Sequence, residues 1–216
     1  MTVTILYGSP QHPDSTITPY RSLVRSVQPA AEPVTLSEAK VQCRVDIADD
    51  DAYISGLITC ARQYMEEVLD ISMITQTWQA RYDVFPLWEL ILPRPPMAPA
   101  AVTITYRDEA GNNQTLLSAS GHFQVDTNIT PGRVYPLYNG VWPAVRGDEN
   151  SVTVQWQAGY GAEGASVPGI LKQAALLLVA HWYEMRQPVF ASYSQVIPVP
   201  HTFETLMAAS GWGGYR

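Results

Sequence analysis

The sequence predicts an α+β fold: a small bundle of three main helices, with a β-rich stretch inserted between the second and third. Residues 49–69 (DDDAYISGLITCARQYMEEVL) repeat apolar side chains at helical spacing. Residues 168–186 (PGILKQAALLLVAHWYEMR) form a second, more apolar helical run, and hydrophobicity between the two runs alternates with a period of two. The organisation expected is an extended N-terminal arm over 1–33, a helical core from 34–70 and 167–188, an inserted β-domain over 71–166, and a C-terminal tail over 189–216 carrying one short helix at 201–209.

Residues 1–33 hold five of the seventeen prolines and little apolar periodicity, which reads as an extended arm or a disordered leader, to be ordered only on a partner. Order begins at Thr35, where Thr35-Leu-Ser-Glu38 is a capping box for a short helix over 35–45. Asp49, Asp50 and Asp51 then place anions at the positive end of the next helix. In it Ile54, Leu57, Ile58, Ala61, Met65 and Val68 form one apolar stripe with Arg62, Glu66 and Glu67 off it, and Glu66 and Glu67 read as a solvated or inter-subunit face. The partner for that stripe is the run containing Leu171, Ala174 and Leu178, so the two helices should pack within one subunit. That run is apolar almost all round, which calls for burial on several sides, in the bundle or against a neighbouring subunit.

Between the helices, Trp78, Ala80, Tyr82 and Val84 alternate with Thr77, Gln79, Arg81 and Asp83, the pattern of a half-buried strand. Further strands are expected at 90–92, 101–107, 114–117, 123–125, 133–135 and 152–158, with a hairpin turn at 108–113. Pro93, Pro95 and Pro96 mark a sheet edge or exit, and the whole reads as a small sandwich or half-open barrel.

Composition narrows the function. The formal charge is −7 and there are two lysines, Lys40 and Lys172, which disfavours a protein that grips a phosphate backbone. Cys43 and Cys60 are too far apart for a redox or zinc pair and read as reduced, buried structural thiols. The N-terminus lacks the basic start and apolar run of a signal peptide, and the longest apolar stretch, 174–180, is far short of the ~20 residues a membrane span needs. No membrane partner is expected.

The motifs of chemistry are absent or fail on context. Gly159-Tyr-Gly161-Ala-Glu-Gly164 spells G-x-G-x-x-G, but Pro168 starts the helix four residues later and no strand follows to close a βαβ unit. His12, His122, His181 and His201 are scattered, without metal-ligand spacing. No nucleophile elbow or H-E-x-x-H occurs. The expectation is no catalytic residue, no cofactor and no metal. Among the six tryptophans, Trp88, Trp142 and Trp212 lie in loop-like sequence, where large aromatics mark interfaces or pack under loops.

Several passages in fixed order resemble one family. They are Pro33-Val-Thr-Leu-Ser-Glu-Ala-Lys40, Arg44-Val-Asp46, Asp49-Asp50-Asp51-Ala-Tyr-Ile54, Ile74-Thr-Gln-Thr-Trp78 and Leu92-Pro-Arg-Pro-Pro96. They continue with Ala158-Gly-Tyr-Gly161, Val167-Pro168 and Leu176-Leu-Leu-Val-Ala-His-Trp-Tyr-Glu184. Over residues 32–189 the chain resembles the head–tail connector (adaptor) proteins of tailed bacteriophages and gene transfer agents. The resemblance implies a virion protein that forms a twelve-subunit homo-oligomeric ring beneath the portal protein. It further implies a stopper or tail-completion protein as distal partner, and genomic DNA passing through the lumen without specific binding. The apolar tail residues Phe203, Leu206, Met207, Trp212 and Tyr215, with Arg216, are the expected portal contacts. The rival readings are a β-module that binds carbohydrate or a host receptor through Trp88, Trp142 and Tyr138, and a nucleotide enzyme built on the Gly159–Gly164 loop.

Overall fold

The computed structural model describes residues 20–98, 102–185 and 201–210. Residues 1–19 of the arm expected over 1–33, with 99–101, 186–200 and 211–216, lie outside the described residues. The chain divides into two units, one of Met1–Gln28 with Gln76–Ala158 and one of Pro29–Thr75 with Gly159–Arg216.

The second unit is helical, with α1 (Leu36–Cys43), α2 (Asp51–Leu69), α3 (Gly169–Glu184) and α4 (His201–Ala209). Thr35 and Glu38 start α1 as a reciprocal capping box: the Thr35 hydroxyl accepts from the Glu38 N–H at 3.1 Å, and the Glu38 carboxylate accepts from the Thr35 N–H at 2.7 Å. Asp50 occupies the N-cap of α2 without capping it; its carboxylate accepts from the Tyr183 hydroxyl of α3 at 2.5 Å. Lys40 of α1 pairs with Asp51 at 2.6 Å, and Lys172 of α3 pairs with Glu38 at 2.9 Å. Polar contacts therefore fix the mutual placement of α1, α2 and α3 at the rim of the bundle.

The interior is apolar. Ile54, Ile58, Ala61, Met65 and Leu69 of α2 meet Leu171, Ala174, Ala175, Leu178 and Val179 of α3, with Val34, Ile71, Met73 and Ile74 from the flanking segments. Each such leucine or isoleucine contributes about 1.5–3 kcal/mol by leaving water. Leu57 and Val68 lie at the margin of this core, partly buried. Leu176 and Leu177 of α3 keep some exposure, so α3 is not enclosed on every side within one chain.

Two expectations about α2 are corrected here. Arg62 and Glu66 are not solvated: their side chains are 4% and 1% exposed and pair at 3.1 Å. Glu32 closes the group from the segment before α1, at 2.7 Å from Arg62, and also accepts from Thr59 at 2.9 Å. The other oxygen of Glu66 accepts from the Met73 N–H at 2.9 Å, holding the turn that follows the helix. Charges enter this core because each finds a partner. Cys60, expected to be buried, is exposed, since it falls one residue before Ala61 and off the stripe; Cys43 is partly covered. Burial, with Glu184 nearby, raises the Cys43 thiol above its ordinary pKa.

The first unit is all β and antiparallel. A five-stranded sheet runs β1 (Ser22–Val27), β2 (Gln76–Tyr82), β8 (Val152–Ala158), β4 (Thr103–Arg107), β5 (Asn113–Leu117), and a three-stranded sheet runs β3 (Leu90–Leu92), β7 (Gly132–Tyr135), β6 (Gln124–Asp126). Both feed one core, in which Trp78, Ala80 and Tyr82 meet Val152, Val154 and Trp156, Leu90 and Leu92, Ile104, Phe123 and Val134. The register is set by these inward pairs, Trp78 lying opposite Trp156 and Ala80 opposite Val154.

Strand β1 replaces the end of the expected arm. It pairs with β2 from Ser22↔Arg81 to Val27↔Thr77, through a bulge between Arg25 and Val27. As an edge strand it leaves Val24 and Val27 exposed, so it carries no clean alternation to read. Strand β2 ends at Tyr82, and Val84, expected inside, is exposed.

Candidate assembly surfaces

The glycine-rich segment is a packing device of the helical unit. Gly159 has φ +137, and a Cβ there would collide with the backbone of Ile74 and Thr75. A Cβ on Gly164 would lie 2.6 Å from the Pro33 carbonyl oxygen. The Thr75 N–H donates to the Gly161 carbonyl at 2.9 Å, and the Tyr160 N–H donates to that of Met73 at 3.3 Å. Residues Gly164–Ser166 make one 3-10 turn, and α3 starts only at Gly169 behind Pro168. The glycines thus serve backbone approach, away from the helix N-terminus where a dinucleotide motif would place them. No group of three metal-ligating side chains occurs among the described residues, and no helix there is long and apolar enough to cross a membrane.

The tail residues divide. Phe203 is 4% exposed and belongs to the helical core, with its ring 6.2 Å from that of Tyr64 on α2. Tyr64 also meets Trp182 of α3 edge-on at 5.9 Å. Phe203, expected among the portal contacts, is thus packed within the helical core of this structure, its ring beside Tyr64. Leu206 is partly buried against the same core. The Met207 side chain and all of Trp212, Tyr215 and Arg216 lie outside the described residues. Of the residues expected in the helix seam, Ile54, Ile58, Ala61, Met65, Leu171, Ala174 and Leu178 come together in the interior and Leu57 stands at its edge.

Beside α1 the helical unit holds an open hollow of about 630 Å³. Val34, Leu36 and Ile58 give it an apolar lining, and Ala165 lies at its border. Glu32, Glu38, Glu163 and Lys172 also face it. Glu38 is held below the usual carboxylate range, first by the Thr35 N–H and then by Lys172, with burial opposing.

In the β unit the three aromatic residues singled out above separate. Trp142 stacks on Phe85 at 4.8 Å with the rings 4° from parallel, and Phe123 lies 6.4 Å away. That stack fastens the loop after β2 to the loop after β7. Beyond it, Leu87 and Trp88 are 82% and 69% exposed, and Tyr138 and Val141 are both 89% exposed. Leu137 is exposed as well, so both loops carry large apolar side chains in water. The signal for this group was present in Pro86-Leu-Trp88 and Leu137-Tyr-Asn-Gly-Val141, but what separates Trp88 from Trp142 is tertiary.

Known proteins were compared against this fold and these surfaces. No curated protein matches the sequence. Several solved chains share the fold, among them the following three. One is from the neck of an empty GTA particle determined with C6 symmetry: TM-score 0.68, 20% identity, covering 86% of this chain and 94% of that one. One is from the virion of a native gene transfer agent (GTA) particle: TM-score 0.67, 19% identity, 87% and 93% covered. The third is from the neck of a native GTA particle determined with C12 symmetry: TM-score 0.59, 19% identity, 83% and 93% covered. At sequence level, the model of one family, described as head completion protein, matches residues 34–194 of the 216. That family is structural and not enzymatic, and its match spans α1 to beyond α3 with every strand from β2 to β8. The chain belongs to the head completion protein family.

Proposed function

We propose that this chain is the structural subunit of a head–tail connector (adaptor) ring. Twelve copies would sit beneath the portal, join the DNA-filled head to stopper or tail-completion proteins, and line the channel through which the genome passes. Assembly takes place in the bacterial cytoplasm, and the finished ring belongs to the head–tail interface of the particle. The observation that carries this reading is family membership, supported by the likeness of fold to chains in GTA necks with sixfold and twelvefold symmetry.

The electrostatics suit a lumen. The net charge is −7, and the two lysines are both engaged, Lys40 with Asp51 and Lys172 with Glu38. A chain of net acidic charge releases few counterions on meeting DNA and lets it slide. Under this reading the end of the tail, with Met207, Trp212, Tyr215 and Arg216 beside the partly buried Leu206, docks on the portal, while Phe203 stays in the helical core. Electron microscopy of the purified chain with and without portal tests the proposal. Rings, or collars on the portal, are expected. A chain that remains monomeric and does not bind portal would overturn it.

A further inference from the structure

We infer that Asn139 is a modification site: the Gly140 nitrogen displaces its side-chain amide when the turn through residues 137–140 opens, and the closed turn is the brake on that reaction. The site is independent of the ring reading.

The turn itself dictates the labile pair. Asn139 takes φ 57 while Tyr138 keeps a negative φ, and the Gly140 N–H donates to the Leu137 carbonyl at 2.7 Å. This is the arrangement of a type II turn, whose third position needs a positive φ and accepts asparagine. A Cβ on Gly140 would stand 3.0 Å from the Leu137 oxygen, so the fourth position favours glycine. Both residues are exposed. Asparagine followed by glycine occurs once in the sequence; Asn112, Asn113, Asn128 and Asn150 precede Asn113, Gln114, Ile129 and Ser151. In those pairs a side chain crowds the backbone nitrogen that must attack, whereas Gly140 leaves its nitrogen open.

The chemistry needs only water and base. In the open turn the Gly140 nitrogen gives its proton to hydroxide and attacks the Asn139 Cγ. An N–Cγ bond forms, the Cγ–Nδ2 bond breaks, and the departing ammonia takes a proton from water, which regenerates the hydroxide. Water then adds to one of the two carbonyl carbons of the resulting five-membered imide. Opening at Cγ leaves aspartate at this position; opening at the main-chain carbonyl leaves isoaspartate, with an extra methylene in the backbone. One water is consumed and one ammonia released, with nothing oxidised or reduced. The closed turn opposes the first step, because it holds the Gly140 N–H on the Leu137 oxygen and keeps the nitrogen from swinging toward Cγ until that bond breaks. Conversion has two consequences. A carboxylate appears in residues 136–142, which carry no charge, and an isoaspartate backbone is too long to close the same turn.

The full-length chain tests this in mildly alkaline buffer, folded or unfolded in guanidinium chloride, by peptide mass mapping over days with isoaspartate counted by enzymatic methyl transfer. In the unfolded chain Asn139 should convert first among the five asparagines. In the folded chain it should convert about tenfold more slowly, the scale expected when a hydrogen-bonded turn must open first. Tyr138→Gly loosens the turn at an exposed position and leaves the reacting pair intact. It should raise the folded rate several-fold and leave the unfolded rate unchanged. Asn139→Gly suits the positive φ, so it should keep the melting temperature and abolish conversion at this position. Equal rates in the folded and unfolded chain, or a folded rate unmoved by Tyr138→Gly, would overturn the turn as the brake. Another asparagine converting first in the unfolded chain would overturn the site.

Discussion

Glu66→Ala removes the buried carboxylate shared by Arg62 and the Met73 N–H. Met73 is fully buried, so its amide would lose its acceptor where water cannot replace it, a cost of about 1–3 kcal/mol. Arg62 would keep Glu32, whose oxygens lie 2.7 and 3.3 Å from its nitrogens, but would lose its second anion. Burial works to lower the pKa of this guanidinium, and Glu32 with Glu66 outweighs it, holding the value above that of an ordinary arginine. Breaking a buried pair on one side costs about 3–5 kcal/mol. Because Glu32 remains and the two losses overlap, the expected sum is about 3 kcal/mol, a large part of the ~5–15 kcal/mol typical of a domain. Urea unfolding followed by helical circular dichroism should show the midpoint fall by roughly 1–3 M at ordinary denaturant slopes. Glu66→Gln keeps an acceptor for Met73 and should lose about half as much. A Glu66→Ala unfolding free energy within about 1 kcal/mol of wild type would refute the idea that this cluster organises the helical unit.

Other substitutions probe the remaining parts. Gly159→Ala forces a Cβ into the Ile74 and Thr75 backbone at φ +137 and should lower stability by about 2 kcal/mol or more, read from thermal melts; unchanged melting would contradict the packing role of the glycine loop. Phe203→Ala should cost about 3 kcal/mol, because the ring is buried beside Tyr64, and removing residues 201–216 should lower the melting temperature as well as any portal binding. A tail that acted only as a portal anchor would leave the melt untouched. For Glu38 the folded pKa is depressed, so its contribution is present above the ordinary carboxylate pKa and is lost as pH falls through the lowered folded value. Glu38→Gln should therefore destabilise the chain at neutral pH and converge with wild type in acid; parallel stability curves across that range would sink the assignment.

Much of the fold was legible because its signals are local. Thr35 and Glu38 are three residues apart, so their capping box needs no knowledge of the rest of the chain. The stripe from Ile54 to Met65 and the alternation from Trp78 to Tyr82 are likewise periodicities of single elements. The misreadings share the opposite property. Arg62 and Glu66 fall off the apolar stripe, and the third member of their cluster, Glu32, lies in a proline-flanked segment far upstream, so their burial has no local signal. Strand β1 does not announce itself in the sequence because an edge strand owes its order to β2, and its bulge breaks the period of two. Phe203 sat among polar residues and prolines, and only its approach to Tyr64 marks it as core.

The same distinction governs the surfaces. Trp88 and Trp142 are both loop tryptophans between prolines and aliphatic residues, and nothing in their sequence context ranks them. Phe85 ranks them. By stacking on Trp142 it turns that indole inward as the fastening between two loops and leaves Trp88, three residues on, outside. A catalytic site is written in residue types whose chemistry survives out of context, which is why its motifs can be sought and rejected in a bare sequence. An assembly surface is written in exposure, and exposure is a property of the folded chain. For such a surface the folded structure therefore carries the larger share of the information: Tyr138 is unremarkable as a letter and stands out only when the tight turn through Gly140 lifts it into solvent.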